Sequence, residues 1–276
     1  MGTEYAAHHV RDRWALVTGA SAGIGLAYAR VAAAHGFDLV LTARREARLK
    51  ELATELERDH GRKALVVPAD LAEPDAPQRL FDAVQQAGVS VDMLVNNAGF
   101  GSRGYFRKTE WKDHAAFLQV MVTSVVHLTH LFEPGMQARG WGKIVHIASL
   151  AGLMPGSAGR TLYGPAKAFL IKFAEALAQE HQDDGVTVTA VCPGFTYSEF
   201  HDVVGNRDAV GRLPKLMWME AETVAQEAFA AAMEGKVVVV NGAPNRAIAT
   251  LMKHAPAAVA RELTRRGAPR AGGADE

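Results

Sequence analysis

Seven short apolar runs recur along the chain, separated by segments with helical spacing. The runs at 38–42 (DLVLT) and 236–240 (KVVVV) are nearly continuous in apolar residues rather than alternating. A strand with one face in water alternates, whereas a strand covered on both faces does not. The remaining runs, at 14–18, 64–68, 91–95, 143–147 and 186–191, complete the set of predicted strands. Helical patterns fill the gaps at 23–35, 44–60, 76–86 and 110–138. In the charged segment 44–60, Leu49, Leu52 and Leu56 share one face. A bend is expected near Pro134 in the longest helix. This rhythm predicts an α/β fold, a doubly wound parallel sheet with helices on both faces.

At 276 residues and 49% hydrophobic content, the chain can bury the core of one sizeable domain, and no repeat or low-complexity linker divides it. Thirty Lys and Arg balance thirty Asp and Glu. That balance argues against a nucleic-acid partner, which favours a basic excess. The lone Cys192 excludes an intrachain disulfide and suits a small core residue in a reducing compartment, the cytoplasm. No apolar run precedes the first strand, so no secretory signal is read, and Ala6 stands where a myristoylated Gly2 would need Ser or Thr. No stretch reaches the ~18 apolar residues of a membrane span.

The expected layout is a flexible arm at 1–12, one domain at 13–243, a helical extension at 244–265 and a disordered tail at 266–276. The extension mixes Ile248, Leu251, Met252 and Val259 with Arg246, Lys253, Arg261 and Arg265, and Pro256 should break it. Packing on its own domain or on a neighbouring subunit is the favoured reading, with a membrane surface as the alternative.

The first predicted strand runs into Thr18-Gly19-Ala20-Ser21-Ala22-Gly23-Ile24-Gly25 and then a helix. Glycines let a backbone turn sharply and approach a pyrophosphate, and the helix N-terminus offers free N–H groups. The spacing is not G-x-G-x-x-G, and no Gly-Lys-Ser/Thr follows. A tight turn without a ligand is the competing reading. After the second strand, Ala43 stands where an acidic residue would meet a ribose 2′-hydroxyl, and Arg44 and Arg45 follow. A guanidinium suits a 2′-phosphate. Arg44 is the expected phosphate contact, with Arg45 and Arg48 as charges of a solvated helix.

Tyr163 and Lys167 lie one helical turn apart, with Ser149 upstream. A phenol titrates near ~10, and a nearby ammonium favours the phenolate. The pair is a candidate acid/base for neutral pH. His127, His130 and His146 lack a carboxylate or Cys to complete a metal set, so they read as helix-surface or interface residues and no metal is expected.

With the glycine turn, Asn96-Asn97-Ala98-Gly99, Ser149 and Tyr163-x-x-x-Lys167 in this order, the chain resembles a short-chain dehydrogenase/reductase from about residue 14 to 240. The resemblance implies a seven-stranded Rossmann sheet, a nicotinamide cofactor and alcohol–ketone conversion. It implies Tyr163 as acid/base, Lys167 lowering its pKa and binding the nicotinamide ribose, and Ser149 holding the substrate oxygen. Around the cofactor it implies Gly19, Ser21, Ala22, Gly23, Ile24, Gly25 and Arg44, with Asp70 and Leu71 at the adenine. Asn97, Ala98 and Gly99 would line the adenosine side, and Pro193, Gly194, Thr196 and Ser198 the carboxamide. NADP is the expected cofactor, with NAD possible, and a homodimer or homotetramer is implied through the helices near 110–138 and 163–181.

Two positions depart from the family pattern. Met121 stands where an Asn would fix a water behind the Lys, and a thioether donates no hydrogen bond. Ser149 and Tyr163 are fourteen positions apart, one more than the family spacing. An apolar lid is expected at 199–221, from Phe200, Val203, Val204, Leu213, Leu216, Met217 and Trp218, with Phe100, Leu153, Met154 and Tyr197 adding to the wall. It points to a hydrophobic or acyl-chain carbonyl or alcohol substrate. The alternative to an enzyme is a dinucleotide-binding sensor or interaction protein of the same fold.

Overall fold

The computed structural model describes residues 13–101, 105–197 and 215–267. The expected arm at 1–12, most of the lid and most of the tail lie outside the described residues. Seven parallel strands form one sheet: β1 (Trp14–Thr18), β2 (Asp38–Thr42), β3 (Ala64–Val66), β4 (Val91–Asn96), β5 (Gly142–Ile147), β6 (Val186–Cys192) and, late in the chain, β9 (Val238–Val240). Their order is β3-β2-β1-β4-β5-β6-β9. This is the doubly wound, Rossmann-like architecture expected from the covered strands. β1, which pairs with both β2 and β4, marks the point where the order reverses. In such sheets a crevice opens at the carboxyl ends of the strands beside that point.

Two apolar layers cover the sheet. On one face α1 (Gly23–Ala34) packs against α2 (Glu46–His60) and α7 (Ala221–Met233). Its buried Ala29, Ala32 and Ala33, with Ala225, Ala228 and Ala232 of α7, leave room for close helix contact. Tyr28 and Phe37 meet Phe229 of α7 in the same layer. On the other face lie α3 (Ala76–Gln86), α5 (Ser124–Ala138) and α6 (Tyr163–Glu180). Leu80, Leu128, Phe132, Leu170 and Ile171 fill that layer, and Phe81 meets Phe132 edge to face at 5.1 Å.

The longest helical run differs from expectation in where it is irregular. α4 (Trp111–Leu118) joins α5 through a π-helical turn, Gln119–Thr123, and the helix continues through Pro134. The run Trp111–Ala138 is long and apolar enough to cross a bilayer by composition. Its Phe117, Met121, Val125, Leu128, Phe132 and Met136 are nonetheless packed in the core.

A second, two-stranded parallel sheet was not foreseen. β7 (Phe195–Tyr197) pairs with β8 (Trp218–Glu220), so the ends of the expected lid segment are held side by side. Tyr197 stacks on Trp218 at 4.7 Å. The remaining helices are α8 (Ala243–His254) and α9 (Ala257–Gly267), separated at Pro256, with Leu251 and Val259 exposed.

His146 is no surface residue. It is fully buried on β5, 3.2 Å from the Asn96 amide through Nδ1 and stacked on Phe173. Burial first, then the Lys167 charge, pushes its pKa down to about 3, so it is a neutral core residue. His130 is exposed and His127 half-buried on α5. Among the described residues no group of three His, Cys, Asp or Glu is placed to hold a metal.

Candidate active site

The carboxyl ends of the strands open into a cleft of about 690 Å³. One end is built on the glycine turn between β1 and α1. Gly19 has φ +68°, a left-handed conformation that suits glycine. A Cβ on Gly19 would lie 2.8 Å from the Asn97 amide nitrogen. One on Gly25 would collide with the same nitrogen and with the Gly19 carbonyl oxygen. The turn is stapled to the end of β4. The Thr18 hydroxyl accepts from the Asn97 and Ala98 N–H groups, both at 2.9 Å, and donates to the Val95 carbonyl at 3.1 Å. The Asn97 side-chain amide donates to the Thr18 carbonyl at 2.8 Å.

α1 begins after Ala22 with no side-chain cap and no acidic residue in its first turn. Its first N–H groups therefore remain open to an anion. Gly19, Ser21, Ala22, Gly23 and Ile24 line the cleft, while Gly25 packs behind them. Asp70 and Leu71 lie along the same wall, held by a bond from the Ser124 hydroxyl to the Leu71 carbonyl at 2.9 Å. Ala98, Gly99, Pro193, Gly194 and Thr196 line it further along. Asn96 points instead into the core, and Ser198 lies outside the described residues. The turn geometry, the open helix terminus and the length of the cleft fit a dinucleotide.

Arg44 is exposed at the rim of the cleft. Arg45, read from sequence as a solvated helix charge, also lines it and reaches Ser21. Its Nη2 donates to Ser21 Oγ at 3.1 Å. A contact across 24 positions leaves no local pattern, so only the repeated Arg beside the turn hinted at it.

Ser149, Tyr163 and Lys167 converge at the other end. Ser149 follows β5 and caps a short 3₁₀ turn, its Oγ accepting from the Ala151 N–H at 3.1 Å. That leaves its own hydroxyl hydrogen to donate. Tyr163 opens α6, and Lys167 follows one turn later. Lys167 is 6% exposed, and its Nζ donates to the Ile147 carbonyl at 2.6 Å. Burial pulls its pKa down to about 8.

The sequence-based expectation that Lys167 lowers the Tyr163 pKa is not met in this geometry. Burial of the phenol raises it, and the opposing pulls come from a hydrogen bond with Ser149 and the charge of Arg160. The Lys167 ammonium is 5.8 Å from the centre of the Tyr163 ring and is directed to a backbone carbonyl. Sequence reading missed Arg160. It lines the cleft, but the only signal was a cation within a loop rich in small residues.

Met121 sits in the π-helical turn, 1% exposed, in a small cluster with Phe117 and Ala166 against which Phe100 and Tyr163 pack. Its sulfur would be 2.8 Å from a Cβ on Gly99, so Gly99 makes room for it. Phe100, Met121, Met154 and Phe195 supply apolar wall. Leu153 packs against the core, and Tyr197 is engaged by Trp218, so neither lines the cleft as expected. Phe200, Val203, Val204 and Leu213 of the expected lid lie outside the described residues, while Leu216 is 77% exposed.

The family model for short chain dehydrogenase matches residues 13–208. Nodulation protein G of Rhizobium sp. (strain N33) is 35% identical over 239 residues, covering 83% of this chain and 96% of the relative. Acetoacetyl-CoA reductase of Cupriavidus necator is 37% identical over 184 residues, 67% of this chain and 74% of the relative. Among solved structures, a short-chain dehydrogenase from Sphingobium yanoikuyae in complex with NADPH superposes with a TM-score of 0.78 at 28% identity. It covers 96% of this chain and 99% of that one.

Proposed function

The chain belongs to the short chain dehydrogenase family, NAD(P)-dependent oxidoreductases of alcohol and keto groups, and from that premise we propose that it interconverts a secondary alcohol and a ketone with NADP(H), using Tyr163 as acid/base. The observation that carries this reading is that Ser149, Tyr163 and Lys167 meet in the same cleft as the glycine turn. The bound nicotinamide would supply the hydride. The Ser149 hydroxyl, whose oxygen is anchored by the Ala151 N–H, holds the substrate oxygen. Tyr163 gives that oxygen a proton in reduction and takes it back in oxidation. Lys167, its Nζ 5.8 Å from the centre of the Tyr163 ring, would hold the ribose of the bound cofactor.

Arg44, exposed at the rim, supports preference for the 2′-phosphorylated cofactor. The apolar wall of Phe100, Met121, Met154 and Phe195 supports a hydrophobic substrate. Exposed Trp111 at the start of α4 and Phe169 on α6 support assembly as a homodimer or homotetramer through these helices.

The test is Tyr163→Phe with NADPH and a panel of ketones. Removal of a positioned acid/base should lower turnover about 10²–10⁴-fold. NADPH affinity, measured by calorimetry, should stay within about twofold, since the phenyl ring and the glycine turn remain. Wild-type turnover in the variant would refute Tyr163 as the acid/base.

A further inference from the structure

Among the described residues, Arg160 is a charged side chain of the cleft wall that neither cofactor binding nor proton transfer uses. The cationic and anionic residues along that wall are Arg44, Arg45, Asp70, Arg160 and Lys167. Asp70 stands with Leu71 near the turn end, and among the described residues no carboxylate lines the wall at the Ser149 and Tyr163 end. Lys167 is engaged with the Ile147 carbonyl. The Arg160 side chain is half-buried and has no hydrogen bond or ion pair among the described residues.

The backbone fixes where that charge starts. Gly159 turns with φ +76°, the Arg160 N–H donates to the Ser157 carbonyl at 3.4 Å, and the Arg160 carbonyl accepts from the Tyr163 N–H at 3.2 Å. Arg160 is thus tied to the first turn of α6, three positions before the phenol. Its charge also acts on the phenol, where it opposes the effect of burial. A half-buried guanidinium in a cleft wall that also holds Met154, Phe195 and Tyr163, without a counter-ion among the described residues, carries a desolvation cost that a bound anion offsets.

We propose that Arg160 is a specificity-determining residue that receives a carboxylate carried by the substrate close to its carbonyl. The proposal rests on the oxidoreductase reading of this cleft and adds the substrate class: an apolar skeleton bearing one carboxylate. A single planar guanidinium matches a carboxylate in bidentate fashion. A phosphate dianion would call for further cations or open N–H groups; Lys167, the other cation at this end among the described residues, is engaged with the Ile147 carbonyl, and the open N–H groups of α1 lie at the glycine-turn end.

Two measurements on the NADPH-bound protein test it. The first compares kcat/KM for a linear 4-oxo acid and its primary amide of the same length. The second compares the dissociation constants of octanoate, octanamide and monooctyl phosphate by calorimetry, independently of turnover. In the wild type, the acid should exceed the amide about tenfold in both measurements, as one charge-assisted pair allows. Octanoate should bind at least as well as the alkyl phosphate. Arg160→Gln should bring the acid-to-amide ratio to near one, through KM, and Arg160→Lys should retain part of it.

Equal acid and amide in the wild type would overturn the proposal. A preserved ratio in Arg160→Gln, with the basic limb of the pH profile moved upward, would overturn it too and leave Arg160 acting on Tyr163 alone. Tighter binding of the alkyl phosphate would overturn the carboxylate assignment. Turnover of both oxo compounds without preference removes this inference and keeps the oxidoreductase reading. Arg160-dependent binding of octanoate without turnover of either does the reverse.

Discussion

The two ends of the cleft are built in opposite ways. At the glycine turn the side chains that shape the backbone are engaged, and only the N–H groups at the start of α1 stay open: Thr18 bonds to three backbone groups, and Asn97 reaches across to hold the turn. At the Tyr163 end the partners are sparse. Met121 offers no hydrogen, Lys167 is directed to a carbonyl, and Arg160 has no counter-charge among the described residues. A surface that must receive the same dinucleotide in every turnover gains from rigidity, because ordering costs are met during folding. A surface that handles a proton and a varied substrate gains from groups left open to pair with the ligand.

The comparison is broken most directly at Gly25. Gly25→Ala drives a methyl into the Gly19 carbonyl oxygen and the Asn97 amide, both part of the stapled turn. Overpacking against backbone should cost about 2–3 kcal/mol, read from the shift in thermal unfolding, and NADPH affinity should fall roughly 100-fold, about 2.7 kcal/mol of binding. Gly61→Ala serves as the contrast. Gly61 also has a positive φ, +62°, but nothing lies within 4 Å of the added atom. It should cost about 1 kcal/mol from the backbone conformation alone and leave NADPH binding intact. Equal loss of NADPH binding in both variants would show that the turn is not a preformed cradle.

Arg44→Ala tests the rim, where the rigid end meets solvent. A charge-assisted contact at an exposed site should be worth about tenfold in NADPH affinity, with NADH changed less than about twofold. Equal losses for both cofactors would refute the 2′-phosphate role. Arg45→Ala should instead weaken both cofactors together, because Arg45 is bonded to Ser21 of the turn itself.

These outcomes bear on how legible the molecule was. Strands covered on both faces wrote their burial into local composition, so 14–18 and 38–42 could be read without any contact map. The glycine turn, Ser149, Tyr163 and Lys167 were equally visible, because their chemistry demands particular residue types at short spacing. What escaped reading depends on contacts between distant segments. The bond of Arg45 to Ser21, the pairing of β7 with β8, and the seating of Asn245 against Gly194 have no periodic signature. The π-helical turn at Gln119–Thr123 escaped for another reason: QVMVT is ordinary helical sequence, and its irregularity is imposed by packing. The burial of Tyr163 that outweighs its neighbours is likewise a property of the assembled cleft.

The smallest effect is expected at Met121, and it is the sharpest probe of the open end. An Asn there would carry the hydrogen-bonding group that the thioether lacks. It would also leave part of the space between Phe117, Ala166 and Gly99 unfilled and bury an amide, at about 1–2 kcal/mol of stability. The Lys167 ammonium already donates to the Ile147 carbonyl at 2.6 Å, at the end of the strand that Ser149 follows, and that bond does not depend on residue 121. Met121→Asn should therefore change kcat less than about threefold and leave its pH profile in place, while lowering the unfolding temperature. A tenfold gain in kcat would mean that proton exit behind Lys167 limits the wild-type enzyme, and that the sparse end of the cleft is incomplete rather than open by construction.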